Sequence, residues 1–240
     1  MKKKRILISI CILTALLFGA VGIYINDFYR AGDEALAVFA SGEVLSDGVT
    51  VFRPAEPVAT EEAVGLMFYP GGKVEASAYA PLLGELAEQG ITCVLLEMPA
   101  NLAVLDKNAA EGIAEQIPEV DRWYIGGHSL GGAMAASFVA EHAEEFEGLI
   151  LLAAYSTEDL TNSDVAVLSI YGSEDGVLNR NAYEENRNNL PEGMTEVVID
   201  GGNHAQFGEY GSQEGDGEAT ISGDEQREVT VDTIIKFIGM

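Results

Sequence analysis

Ile125-Gly126-Gly127-His128-Ser129-Leu130-Gly131-Gly132 holds a G-x-S-x-G pattern, Gly127 to Gly131. Its flanks decide how it is read. Asp121-Arg122-Trp123-Tyr124-Ile125 before it has the make-up of a short buried strand, and Ala133-Met134-Ala135-Ala136-Ser137-Phe138-Val139-Ala140 after it that of a helix of small and apolar residues. A serine placed on so sharp a strand-to-helix turn is exposed as a nucleophile. Side chains at Gly127 and Gly131 would clash with the neighbouring backbone, and the helix behind aims free N–H groups at the reacting centre. Ser129 is the candidate nucleophile.

Two later loops supply its partners. After the apolar strand Val165-Ala166-Val167-Leu168-Ser169-Ile170-Tyr171 comes Gly172-Ser173-Glu174-Asp175-Gly176, which places a carboxylate just past a strand's end. Asp175 is the candidate acid, with Glu174 and Asp159 as rivals. After Thr195-Glu196-Val197-Val198-Ile199-Asp200 comes Gly201-Gly202-Asn203-His204, which places an imidazole in the equivalent position. Only three histidines are present. His128 sits inside the serine turn and His142 in a stretch read as a solvent-facing helix, so His204 is the candidate base. A serine hydroxyl needs a base to take its proton as it attacks a carbonyl, and a carboxylate to fix the imidazole tautomer and stabilise its cation.

The chain order Ser129, Asp175, His204 is that of the α/β-hydrolase fold. From about Gly65 to Met240 the sequence resembles a small bacterial α/β-hydrolase of the dienelactone-hydrolase-like or alpha/beta hydrolase fold-5 group. It differs from the dienelactone hydrolases in carrying Ser129 where they use cysteine. The resemblance implies a serine-hydrolase mechanism with an oxyanion hole. One donor is then the N–H of Leu130, the residue after the nucleophile. The other comes from Pro70-Gly71-Gly72-Lys73, after the strand Val64-Gly65-Leu66-Met67-Phe68-Tyr69, from either Gly72 or Lys73. The Lys73 side chain reads equally as a solvated charge or a substrate contact.

Apolar strands alternating with helical stretches at 79–89, 109–116, 133–145, 181–190 and 225–238 predict an α/β fold, a mostly parallel sheet covered on both faces. Ser222-Gly223-Asp224-Glu225 is a capping box for the last helix. Residues 43–45 and 49–52 around Ser46-Asp47-Gly48 read as a leading hairpin. Residues 154–164 are too few for a helical cap, which predicts an open site. The Gly- and acid-rich stretch 207–218 reads as a mobile or ligand-lining loop, or equally as a solvated connector, and its spacing is not that of an EF-hand.

Lys2-Lys3-Lys4-Arg5 precedes a charge-free apolar run, 6–25, about the 20 residues a spanning helix needs. Positive charges ahead of it orient it N-inside, with Tyr24, Phe28 and Tyr29 at the outer interface. The domains then read as a cytoplasmic basic segment (1–5), an anchor (6–25), stalk and first strands (26–63), and a catalytic domain (64–240) outside the cytoplasmic membrane. The rival is a cleaved signal peptide with Ala20-Val21-Gly22 as its site, giving a secreted enzyme. Cys11 and Cys93 lie in the apolar run and in a strand, so no disulfide is expected. No metal or cofactor site is read. A net charge of −26 argues against nucleic acid or anionic substrates and fits a solvated surface. The expected partners are a small acyl substrate and the membrane. A catalytically silent α/β-hydrolase scaffold, an envelope binding module, is the alternative from another class, and acyltransferase or peptidase chemistry on the same triad is open.

Overall fold

Val64-Gly65-Leu66-Met67-Phe68-Tyr69 is buried at every residue, and its side chains alternate between two separate cores. Leu66 and Phe68 join one core, Met67 and Tyr69 the other, as the two-residue period of a strand covered on both faces requires. Cys93 and Leu95 against Val94 and Leu96 repeat the pattern, as do Ile150 and Leu152 against Leu149 and Leu151.

The computed structural model describes residues 24–55 and 62–240, together with positions 14, 16, 19 and 22. Its elements run α1 (Asp33–Phe39), β1 (Glu43–Ser46), β2 (Val49–Phe52), β3 (Val64–Tyr69), α2 (Ala80–Glu88), β4 (Ile91–Leu96), β5 (Arg122–His128), α3 (Leu130–Val139), β6 (Gly148–Leu152), β7 (Ala166–Gly172), α4 (Arg180–Asn186), β8 (Thr195–Ile199) and α5 (Gly223–Ile238). The strands form one eight-stranded sheet in the order β1-β2-β4-β3-β5-β6-β7-β8. The leading hairpin is antiparallel and joins β4 antiparallel, and every later pair is parallel. α2 and α5 cover one face, while α3 and the irregular stretch 98–120 cover the other. The α/β-hydrolase architecture expected from the sequence is therefore present, and only short turns join β6 to β7, with no large cap.

Three local expectations are not met. The stretch 109–116 is a series of turns ending in a 3-10 turn at Ala114–Gln116, because Tyr69 takes over its backbone. The Tyr69 hydroxyl donates to the Lys107 carbonyl at 2.8 Å and accepts the Ala110 N–H at 3.1 Å, and Gly112 turns left-handed at φ 71°. α1, in what reads as stalk, is a true helix. Asp33 and Glu34 sit at its positive end, Ala35 is fully buried, and Val38 packs close over Gly84 of α2. The stretch 133–145 also divides, with α3 ending at Val139 and His142 lying beyond it. The apolar run 6–25 falls outside the described residues except at 14, 16, 19, 22, 24 and 25. Among the described residues no helix is long and apolar enough to cross a membrane.

α5 begins as its sequence predicts. The Ser222 hydroxyl accepts the Glu225 N–H at 3.2 Å, and the Glu225 carboxylate accepts the Ser222 N–H at 2.8 Å. Ser222→Ala should cost about 1 kcal/mol, read as a fall in melting temperature of about 2–4 °C. Activity per folded molecule should not change, since the cap touches no residue of the site. A melting temperature equal to that of the parent would show that the box contributes nothing.

Candidate active site

In an open parallel sheet, ligands bind beyond the carboxyl ends of the strands where the winding direction reverses, here between β3 and β5. The sequence candidates all lie at those ends: Gly72 after β3, Ser129 after β5, Asp175 after β7 and His204 after β8. Ser129 has φ 52° and ψ −120°, a backbone conformation costing on the order of 1–3 kcal/mol. The turn is clamped against β3. A Cβ at Gly131 would lie 2.2 Å from the carbonyl oxygens of both Tyr69 and Pro70, and one at Gly127 would lie 2.6 Å from that of Tyr69. From the other side the Ser129 N–H donates to the Leu152 carbonyl at 2.9 Å. Behind it Ala135, Ala136, Phe138 and Val139 of α3 are fully buried. Phe138 alone contributes roughly 1.5–3 kcal/mol, enough to offset the strain.

The structure brings Asp175 and His204 together. His204 Nδ1 lies 2.9 Å from Asp175 Oδ2, with both side chains almost wholly removed from water. Asp175 Oδ1 accepts the N–H groups of Val177 and Leu178 at 2.9 and 2.8 Å. Burial alone would raise the Asp175 pKa. The His204 hydrogen bond and charge, aided by the two backbone donors, outweigh it and hold the carboxyl below its usual range, so it stays ionised. With Nδ1 engaged by the acid, Nε2 is the ring nitrogen left for Ser129. Of the rivals, the Glu174 side chain meets Ser173 and that of Asp159 meets Thr161, so neither bonds the imidazole.

The oxyanion candidates separate. The Lys73 N–H donates to the Asn101 carbonyl at 2.7 Å and its ammonium pairs with Asp27 at 2.7 Å, so Lys73 is not available as a donor. Gly72 lies against Leu130, where a Cβ would come within 3.2 Å of the Leu130 Cβ. Neither the Gly72 nor the Leu130 N–H donates to an acceptor among the described residues.

Four residues to which the sequence reading gave no role belong to this site. The Tyr79 hydroxyl accepts the Gly71 N–H at 3.0 Å and meets His128 Nδ1 at 2.8 Å, tying the loop after β3 to the serine turn. The His128 ring lies 4.4 Å from the His204 ring, centre to centre, and its buried Nε2 has no hydrogen-bond partner among the described residues. Asp216 bonds both loops that carry the Asp175–His204 pair. Fully buried Gln226 holds the histidine loop from α5, accepting the Asn203 N–H and donating to the Asn203 carbonyl, each at 2.9 Å. Only the i, i+3 position of His128 relative to Gly131 marks it in sequence, and nothing marks Asp216 among so many acids.

Burial, and secondarily the charge of His204, hold His128 well below its ordinary value of 6.5, so it is neutral in the folded chain. Below that pH the unfolded chain takes up a proton that the folded chain refuses. Stability is therefore complete above pH 6.5 and falls as pH drops, by up to about 1.4 kcal/mol per unit. Urea unfolding from pH 7.5 to pH 5 should show the parent losing stability more steeply than His128→Gln. Parallel curves would mean that His128 protonates equally well in both states.

A model of the alpha/beta hydrolase family matches residues 65–228. Among solved structures, the ferulic-acid complex of Est1E from Butyrivibrio proteoclasticus has a TM-score of 0.60 at 13% identity, covering 81% of this chain and 98% of that one. A protein described as a predicted CIB-like hydrolase from Thermoplasma acidophilum has a TM-score of 0.58 at 16% identity, covering 82% and 98%. Esterase Est2 of Thermogutta terrifontis has a TM-score of 0.56 at 13% identity, covering 83% and 92%. At such identities the likeness is one of fold. No curated protein matches the sequence. With the family match spanning the strands that carry Gly72, Ser129, Asp175 and His204, the chain belongs to the alpha/beta hydrolase family.

Proposed function

We propose that this protein is a membrane-anchored, extracytoplasmic serine hydrolase that cleaves a carboxylic ester or related acyl compound. The observation that carries the reading is the dry 2.9 Å contact between Asp175 and His204, on loops beside a serine held at φ 52° on the turn after β5. Ser129 Oγ attacks the acyl carbon as His204 Nε2 takes its proton, and Asp175 stabilises the imidazolium. The N–H groups of Gly72 and Leu130 receive the developing oxyanion, each such donor being worth about 3 to 4 kcal/mol of barrier. The intermediate collapses as His204 protonates the leaving alcohol, and water, deprotonated by the same imidazole, then releases the acid from Ser129. The esterases among the structural neighbours, one of them holding ferulic acid, favour an ester over a peptide.

Ser129→Ala and His204→Ala should each abolish hydrolysis of short acyl esters, and Ser129→Ala should also end fluorophosphonate labelling, with the fold intact. Asp175→Asn should lower kcat by about 10⁴ with little effect on KM, because the carboxamide can hold the wrong tautomer and cannot stabilise the imidazolium. Glu174→Gln should leave rates nearly unchanged. More than a few per cent of activity in either alanine variant, or a larger loss in Glu174→Gln than in Asp175→Asn, would refute these roles. An unlabelled parent protein would favour a silent binding scaffold.

The membrane reading rests on the Lys2 to Arg5 cluster ahead of the apolar run 6–25. The end of the run and the chain that follows it are fastened beside the loop after β3: Asp27 pairs with Lys73, the Lys73 ammonium lies 4.8 Å over the Tyr24 ring, and the Tyr29 N–H donates to the Lys73 carbonyl at 2.8 Å. The full chain should fractionate with membranes and be digested by protease added outside intact cells. A chain starting at Asn26 keeps Asp27 and Tyr29 and should be soluble and active. A mature protein starting near Ile23 in the medium would show a cleaved signal instead, and full-length protein in the cytosol would overturn both readings.

A further inference from the structure

Asp216 touches no reacting atom in the mechanism above, yet its carboxylate gathers backbone N–H groups from both loops that carry the Asp175–His204 pair. Oδ1 accepts from Gly176 at 3.0 Å, from Gly217 at 2.8 Å and at longer range from His204 at 3.3 Å, and Oδ2 accepts from Ala205 at 2.8 Å. Gly176 follows Asp175 and Ala205 follows His204, so one side chain grips the residue after each member of the pair. On the sheet side the loops are already stitched, Glu174 N–H to the Gly202 carbonyl and Gly201 N–H to Ser173 Oγ, each at 2.8 Å. Away from the sheet, Asp216 alone among the described residues accepts the N–H groups of Gly176, His204 and Ala205.

The stretch that delivers this carboxylate is itself fastened. The Glu209 N–H donates to the Ala78 carbonyl at 2.7 Å, the Gly32 N–H donates to the Glu209 carbonyl at 2.8 Å, and the Glu214 N–H donates to the Tyr29 hydroxyl at 3.1 Å. At its far end Asn203 Nδ2 donates to the Gly217 carbonyl at 2.8 Å. Gly217 passes so near the acid loop that a Cβ there would lie 1.9 Å from the Glu174 carbonyl oxygen, which only glycine permits. The glycines of this stretch allow close docking, and Asp216 makes charge-assisted bonds once docked.

We propose that Asp216 is a positioning residue: it fixes the spacing of the acid and histidine loops, and so the aim of His204 at Ser129. The proposal rests on the serine-hydrolase reading for its kinetic effect and on geometry alone for its effect on the pair. In the full-length chain, with p-nitrophenyl butyrate as the probe ester, Asp216→Ala should lower kcat about 10- to 100-fold while KM stays within about twofold, the mark of a misaimed but intact site. Asp216→Asn keeps an oxygen that can accept from Gly176, His204 and Gly217 but loses the acceptor for Ala205, and should recover part of that loss. Glu218→Gln, the same charge change at an exposed neighbour in the stretch, should leave kcat unchanged. In proton NMR the downfield signal of the His204 Nδ1–H bonded to Asp175 should be lost in Asp216→Ala and kept in Asp216→Asn.

An Asp216→Ala enzyme with kcat within twofold of the parent and an unchanged downfield signal would overturn the proposal. So would a loss of kcat equal to the unfolded fraction seen by circular dichroism, or an equal loss in Glu218→Gln. A parent that hydrolyses no ester would instead remove the serine-hydrolase reading, and the downfield signal would still decide whether Asp216 holds the pair.

Discussion

The closeness of the serine turn to the end of β3 is the constraint on which the rest of the site depends. Gly131 lies so near the Tyr69 and Pro70 carbonyls that a single added carbon would sit 2.2 Å from both. Bringing the chain that near lets Leu130 and Gly72 lie side by side. The cost is the Ser129 backbone, on the order of 1–3 kcal/mol, and it is offset by the buried helix on the far side of the turn, aided by the Ser129 N–H bond to the Leu152 carbonyl. A loosened α3 would therefore be felt first as a displaced Ser129.

Two histidines share the dry space beside that turn, and their surroundings divide their tasks. His204 faces the Asp175 carboxylate, a partner that stabilises its cation. His128, 4.4 Å away between ring centres, has a neutral phenol on one nitrogen and no partner among the described residues on the other, and burial, with the charge of His204, holds it neutral. Two imidazolium ions at that separation in a water-poor site would repel strongly. The link of His128 through Tyr79 to the Gly71 N–H joins the histidine side of the site to the loop after β3.

What could be read from the sequence was set by how local each feature is. The β3 and β5 strands, the serine turn and the capping box at Ser222 are decided by neighbours within a few residues, and their residue types declare them. The order of Ser129, Asp175 and His204 along the chain carried the fold because few folds use it. Long-range capture stayed hidden. Tyr69 unwinds 109–116 from about forty residues away, and Lys73 loses its N–H to an Asn101 carbonyl that no pattern near Lys73 announces. α1 was concealed differently: its Ala35 is fully buried and its Val38 packs close over Gly84 of α2, packing details absent from the string of letters.

The acidic balance of the chain also has a structural side that composition could not convey. With 39 acidic residues against 13 basic ones, most carboxylates have no cation to meet. Several are bound to backbone amides instead: Asp175 to Val177 and Leu178, Asp216 to Gly176, Ala205 and Gly217, Glu225 to Ser222, and Glu75 to Ala31. Amide donors are fixed by the fold, unlike the long side chains of lysine and arginine, so a carboxylate held by them adds rigidity that a surface ion pair does not. Such contacts in part-buried loops are also less exposed to screening by salt than pairs in open solvent. The acid-rich stretch 207–218 is the case in point: its glycines bring it within reach, and one carboxylate bonded to two loops joins a solvated-looking segment to the loops that carry Asp175 and His204.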